Sequence, residues 1–394
     1  MNDAVHAAIR RFPLLGRPRP ARPPLSNRIQ EISDAVLIAE RKGQDGFADA
    51  AHALNKAALI ASDCGLPHLA EQLCWQHIHA YRSLDRPLTV VEARYLLEPV
   101  LNLARLQIRA DHGNAAIHLL EAMYKAISRR ENLTVDDQAL PTADLAGDHH
   151  ERRHLREWVW LQLVSEGVRA LALAHRWPDA AEHARSHNGI GAHLMEGRQA
   201  AIITAVLDDD LRQARRLLTD STLTQPWELE IAACLQLMCS HPGRASHERH
   251  LDVALARYRA RKSVSGYASY RARLGLTIVT LAHQTRADTA INLLRHVADE
   301  AIASDDGYAA RDALNIREPI NGINPIQHRR LTAIHAASGL ARRTSPYLDP
   351  HRLESTTTRA AGVLNLALAA AHGPWAGSSR PSAPAAPPAP TRAR

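Results

Sequence analysis

Trp177-Pro-Asp-Ala-Ala181-Glu-His-Ala184 reads as a turn that opens directly into a helix, with Pro tolerated in the first turn and alanines three and four apart on one side. The phrase returns as Asp210-Leu-Arg-Gln-Ala214-Arg-Arg-Leu217, His250-Leu-Asp-Val-Ala254-Leu-Ala-Arg-Tyr258 and Arg286-Ala-Asp-Thr-Ala290-Ile-Asn-Leu293, and earlier around Ala70 and Ala116. Small residues let neighbouring helices approach closely while Leu fills the space beside them, so the phrase predicts helix hairpins stacked on one another. From Ala181 onward the intervals are 33, 40 and 36 residues, close to the length of one hairpin. The stretch from Ala116 to Ala181 is too long for one unit and predicts a degenerate unit with a loop around Pro141.

Outward from that repeat, helical spacing covers most of the chain. Ser26 is placed to cap a first helix with Ile29, Ile32, Ala35, Val36 and Ala39 on one face, and further helices are predicted over about 47–62, 67–84, 114–128 and 149–175. Residues 89–110 are strongly apolar but include Pro99, which lacks an amide proton and crowds the carbonyl of Tyr95, so a kink or break is predicted there. The polar stretch 129–147 reads as an outward loop, and 305–324 as turns before helices that start at Pro325 and His351. No run of alternating β-branched residues lies between hairpin turns, so no strands are predicted. With two Phe, six Trp and eight Tyr in 394 residues, the core must come from Leu, Ala, Ile and Val, which suits closely paired helices. The predicted fold class is all-α.

The hairpin-length spacing and the placement of small residues make residues 26–340 similar to the tetratricopeptide-like α-solenoids. That resemblance implies a concave groove that binds a peptide or a partner helix. The body is expected to run over 26–372. Before it, residues 1–25 end in Arg-Pro-Arg-Pro-Ala-Arg-Pro-Pro and are expected to form an extended, mobile arm; after it, the Pro-, Ala- and Ser-rich residues 373–394 are expected to be a disordered tail.

The formal charge of +7 lies in the two ends, net +4 in residues 1–25 and net +3 in 373–394, which leaves the body neutral. A neutral body lacks the positive field that non-specific phosphate binding requires, and the short Pro-rich arm holds no helix-turn-helix, so direct sequence-specific DNA binding is not expected. No apolar run approaches bilayer length, so no membrane partner is expected either. Cys64, Cys74, Cys234 and Cys239 form no CxxC pair, and Gly16-Arg-Pro-Arg-Pro stands where an export signal after Arg10-Arg11 would need an apolar segment. Buried thiols in a cytoplasmic protein follow from these features.

Several constellations are candidates for chemistry. His150-Glu151-Arg152-Arg153-His154 matches HExxH, in which His150 and His154 would hold zinc and Glu151 would act as general base. The intervening arginines and the Glu157 and Trp160 that stand where a third-ligand continuation needs Gly and His favour a solvated first turn, with Leu155, Trp158, Val159, Leu163 and Val164 facing the core. His247 and His250, three apart beside Glu248, open an ordinary amphipathic helix. Asp208-Asp209-Asp210 lacks the further carboxylate of a DDxxD motif and reads as a helix cap. Two loops containing Asn-Gly-Ile, around 187–198 and 317–325, supply His187, Asn188, Arg198, Arg317, Asn321 and Asn324 as a candidate pocket for an anion or peptide terminus. Arg257, Arg259, Arg261 and Lys262, with Arg271 and Arg273, form the densest basic cluster of the body; Arg257 and Arg261 are candidate contacts to an acidic partner.

These features predict a non-enzymatic helical-repeat protein that needs no cofactor and binds a peptide or protein partner as an adaptor or regulator. The alternatives are a zinc-dependent hydrolase built on residues 150–154 and a regulator that senses a small molecule or signalling peptide.

Overall fold

The first two elements already depart from a mobile arm. In the computed structural model, which describes residues 3–261, 264–316, 320–341 and 349–370, the chain opens with helix α1 (Asp3–Ile9), runs without regular structure from residue 14 to 24, and enters α2 (Leu25–Lys42). The expected disordered tail at 373–394 lies outside the described residues. After a single 3-10 turn follow α3 (Phe47–Asp63), α4 (Pro67–Arg82), α5 (Val90–Arg109) and α6 (Gly113–Arg129). A short hairpin, β1 (Leu133–Val135) and β2 (Gln138–Leu140), precedes α7 (His149–Leu173) and α8 (Trp177–Ser186). The order continues through α9 (Glu196–Leu207), α10 (Leu211–Thr219), α11 (Pro226–Met238), α12 (Ala245–Ala260), α13 (Ala268–Ala282) and α14 (Ala287–Ser304). It ends with α15 (Gly307–Leu314), α16 (Pro325–Ala337) and α17 (Pro350–Ala370). The fold is all-α but for the one hairpin.

The recurring phrase has a simple structural meaning. Ala70, Ala116, Ala181, Ala214, Ala254 and Ala290 are all buried in α4, α6, α8, α10, α12 and α14 respectively, the second member of each successive helix pair; all but Ala254, which stands in the third turn of a helix that already begins at Ala245, lie at the helix opening. From α2 to α16 each helix packs on the next. The odd-numbered helices also form a row of their own, α3 on α5, α5 on α7, and so on to α13 on α15. Alanine at the opening of α4, α6, α8, α10 and α14 lets each of these helices lie close to its partner.

Two apolar cores result. One is built from α2 through α7 and is covered at its outer side by α17, which packs on α2, α3 and α4 through Leu353, Val363, Leu364 and Leu368. The other runs from α7 to α16 and takes in Val5, Ala8, Ile9, Phe12 and Leu14 from the chain start. The termini therefore cross: the N-terminal segment completes the second core and the C-terminal helix completes the first. The Pro-rich composition does preclude helix over 17–24, but the apolar residues just before it find a core to enter, and burial overrides the expectation of mobility.

Three further expectations change. Residues 129–147 include strands, because Asp136 and Asp137 at φ 46° and 60° make the left-handed two-residue turn that twists a hairpin correctly, while Leu133, Val135 and Leu140 are buried. The first helix starts at Leu25 and Ser26 makes no capping bond. Helix α5 passes through Pro99 without a break, its start fixed by a reciprocal cap between Thr89 and Glu92.

Candidate functional site

The row of odd-numbered helices carries the N-terminal segment along it. Arg11 donates from its guanidinium to Thr280 Oγ1 at 2.9 Å, and the Arg11 carbonyl accepts from Arg273, both on α13. Leu14 is held by both its backbone groups: its N–H donates to Gln199 Oε1 at 2.8 Å, and its carbonyl accepts from Gln199 Nε2 at 2.6 Å. Gln199 is completely buried on α9, and its amide also reaches the Leu194 carbonyl at 2.7 Å. Gly16 lies flat on Trp227 at the start of α11, where an added Cβ would stand 2.1 Å from Trp227 Cβ. The Arg19 N–H donates to the Gly266 carbonyl at 2.8 Å, just before α13. Arg22 is bracketed at the start of α15, its N–H on Asp306 Oδ2 at 2.8 Å and its carbonyl on the Gly307 N–H at 3.0 Å.

The segment is thus read mainly through its main chain, with Phe12 and Leu14 as buried apolar anchors. Main-chain pairing of this kind gives affinity with little dependence on side chains, while the anchors set register. Charge acts in both directions: Arg17 reaches Glu196 at 3.5 Å, whereas Arg19 stands near the buried Arg273, whose pKa is pushed down to about 10 by burial, with Asp312 opposing the shift and Arg19, Arg169 and Arg311 adding to it.

Asp63, at the end of α3, ties the segment to both halves of the molecule. Its carboxylate accepts from Arg22 at 3.0 Å, from Arg28 of α2 at 2.6 Å, from Arg109 of α5 at 2.8 Å and from the Tyr308 hydroxyl of α15 at 2.7 Å. Burial alone would raise its pKa, but Arg22, Arg28, Arg109 and the Tyr308 hydroxyl together hold it below the usual carboxylate range. A similar balance lowers Glu166 of α7, where burial is outweighed by Arg105 and Arg169.

The residues singled out in the two Asn-Gly-Ile loops are not gathered into one pocket. Arg198 is buried and its guanidinium is spent on backbone carbonyls, Gly191 at 2.8 Å and Leu217 at 2.7 Å, and on Ser221 Oγ at 2.7 Å. Asn188 is exposed in a left-handed turn at φ 55°. Asn324 caps α16, its side-chain oxygen accepting from the Ile326 and Gln327 N–H groups at 2.9 and 2.8 Å, and Asn321 is exposed in the preceding turn. Gly322 beside it approaches Leu294 of α14, a different neighbour from those of the 187–198 loop. Arg317 and Lys262 lie outside the described residues.

The basic cluster also divides. Arg257 is exposed, Arg261 stacks over Tyr267 at 5.0 Å and reaches Glu230 at 3.4 Å, and Arg271 is buried against Glu300 at 2.8 Å. Asp210 caps α10 by accepting the Gln213 N–H at 2.9 Å, and His247 is buried with Nδ1 3.0 Å from Ser240 Oγ.

At the start of α7, the His150 and His154 rings lie 4.0 Å apart on the surface, with Arg153 2.7 Å from His150 Nδ1. Glu151 is engaged in a reciprocal cap with Asp148, giving and receiving bonds of 2.8 and 2.9 Å. Among the described residues, the three-residue group able to share an ion is elsewhere: Glu121 on α6 with His183 and His187 at the end of α8, their ligand atoms within 4.8 Å of one another. All four cysteines are free and buried, and burial pushes Cys64 to about 11 and Cys74 to about 12. No helix among the described residues is long and apolar enough to cross a membrane.

Sequence reasoning missed the segment 10–24 and Gln199 altogether. The signal for the segment was present in Phe12, Leu14 and Leu15, three large apolar residues placed immediately before a glycine. In comparisons with known proteins, no family model, curated protein or solved structure matches this chain.

Proposed function

We propose that the protein is a tetratricopeptide-like α-solenoid whose odd-numbered helices line a concave groove, and that this groove binds an extended peptide of a protein partner in an adaptor or regulatory role. The observation that carries the reading is the main-chain clamp of Gln199 on Leu14, together with the pairing of Arg19 to Gly266 and of Arg22 to Asp306 and Gly307. A groove that holds one extended segment by its backbone is equipped to hold another of similar chemistry. The partner segment would replace residues 10–24. Its chemistry follows from what they leave behind: apolar pockets for two side chains, a position that admits only glycine, and the carboxylates of Glu196 and Asp63, which would pair with basic side chains where Arg17 and Arg22 now stand.

The test is to dislodge the chain's own segment and offer it back. Gly16→Val would drive a side chain into Trp227, and a labelled peptide of residues 3–24 is then expected to bind this variant and not the parent protein. Displacement of the chain's own segment is monitored by trypsin cleavage after Arg10 and Arg11, which should accelerate in the variant and stay fast when peptide occupies the groove. A variant that remains as resistant as the parent, or one that is cleaved readily and yet fails to take up the peptide, would remove the support for a peptide groove.

A further inference from the structure

The pair His183 and His187 lies on the even-numbered helix α8 and its C-terminal turn, grouped with Glu121 of α6. The two histidines are four apart on one helix face, with ring centroids 4.7 Å apart. His187 Nε2 stands 3.6 Å from Glu121 Oε1, about the edge length of a tetrahedron of ligands around an ion bonded at roughly 2.0–2.1 Å.

The surroundings fix each ligand. His183 is buried with Nε2 3.1 Å from the Leu163 carbonyl, so this nitrogen donates its proton and Nδ1 keeps the lone pair that a metal needs. The ring fits only because residue 167 is glycine: a Cβ there would lie 2.1 Å from His183 Nε2. His187 closes α8, and its carbonyl accepts the Trp160 indole N–H at 2.7 Å, which holds the turn in place. Glu121 is half exposed on the facing helix, with no ion-pair partner among the described residues other than His187.

We propose that Glu121, His183 and His187 form a binding site for a divalent transition-metal ion of the zinc type, which joins α6 to α8. Two imidazoles and one carboxylate are the donor set that zinc accepts, and three protein ligands leave a position for water or an external group. The carbonyl behind His183 is the usual outer partner that orients a ligating histidine.

The experiment is a titration of the chelator-treated full-length protein with zinc alone, followed by calorimetry, and with cobalt, followed by visible absorption. His187→Ala and Glu121→Gln are the test variants, because both positions are at the surface; His183→Ala would open a void beside Gly167 and is not relied upon. One zinc per chain is expected in the tightest event, weakened by at least about tenfold in each variant. His154→Ala, which removes half of the other close histidine pair, should leave that event unchanged. Absence of zinc binding at micromolar metal, affinity unchanged from the parent in either test variant, or loss of the tightest event in His154→Ala would each overturn the assignment.

Discussion

Asp63 gathers more of the molecule than any repeat residue does, since its two oxygens receive bonds from the N-terminal segment, α2, α5 and α15. Its side chain has no solvent exposure, so its charge is tolerable only because the three guanidiniums and one hydroxyl replace water. Asp63→Asn keeps the shape and removes the charge, leaving three arginines to share a neutral amide. Breaking a buried ionic network from one side costs about 3–5 kcal/mol, and a loss of this order is expected in urea denaturation at pH 7. The pH dependence has a definite sign. Because the folded pKa lies below the ordinary value of 3.8, the stabilisation from Asp63 is complete above that value and is lost as pH falls through the folded pKa. Glu166, lowered from 4.5 by Arg105 and Arg169 against its burial, adds to the same acid limb. The protein should therefore lose stability below about pH 4.5, and Asp63→Asn should flatten the lower part of that decline.

At the level of helices, the contact of α7 with α8 shows how one glycine sets a distance. Ala has the better helix propensity, by about 1 kcal/mol, so Gly167→Ala would stabilise an isolated α7. In the folded chain the new methyl would overlap His183, whose ring is enclosed, and overpacking of this kind costs about 1–3 kcal/mol. The steric loss should exceed the gain, giving a lower melting temperature than the parent; a higher one would mean that His183 has room to move. The helices were legible for a related reason. A small residue near the opening of α4, α6, α8, α10 and α14 is a local signal with a direct steric meaning, and the sequence boundaries of α4, α6 and α7 lie within a few residues of the observed ones. The hairpin at 133–140 was not legible because Asp-Asp is a weaker turn signal than Asn-Gly and the strands have three residues each. Residues such as Arg198 and Asn324 looked available because their polarity shows in the sequence and their partners, backbone groups of neighbouring turns, do not.

For the whole molecule, the crossing of the termini makes a stability argument that no single element contains. Residues 3–14 contribute Val5, Ile9, Phe12 and Leu14 to the second core, and burying such side chains stabilises by about 1.5–3 kcal/mol each. Their sum is comparable to the 5–15 kcal/mol that holds a typical domain together, so the second half of the chain depends on the N-terminal segment packed into its core. The first half depends on α17 instead, and Arg22 of that segment reaches it through Asp63. This asymmetry is what was invisible in the sequence: the Pro and Arg content of residues 1–25 describes the chain in isolation, whereas its order comes from helices about 200 residues away. Removal of residues 1–24 should therefore act unevenly. Amide exchange is expected to accelerate in α9, α11 and α13, which lose Leu14, Gly16 and Arg11, while α4, α6 and the face of α3 beneath α17 keep their protection. A uniform loss of protection would mean that α7, which belongs to both cores, couples the halves into one cooperative unit. Loss confined to the second half is the outcome the proposed peptide groove requires, because the vacated surface would then regain stability when a fitting peptide binds, by the same mass action that lets a ligand raise a melting temperature.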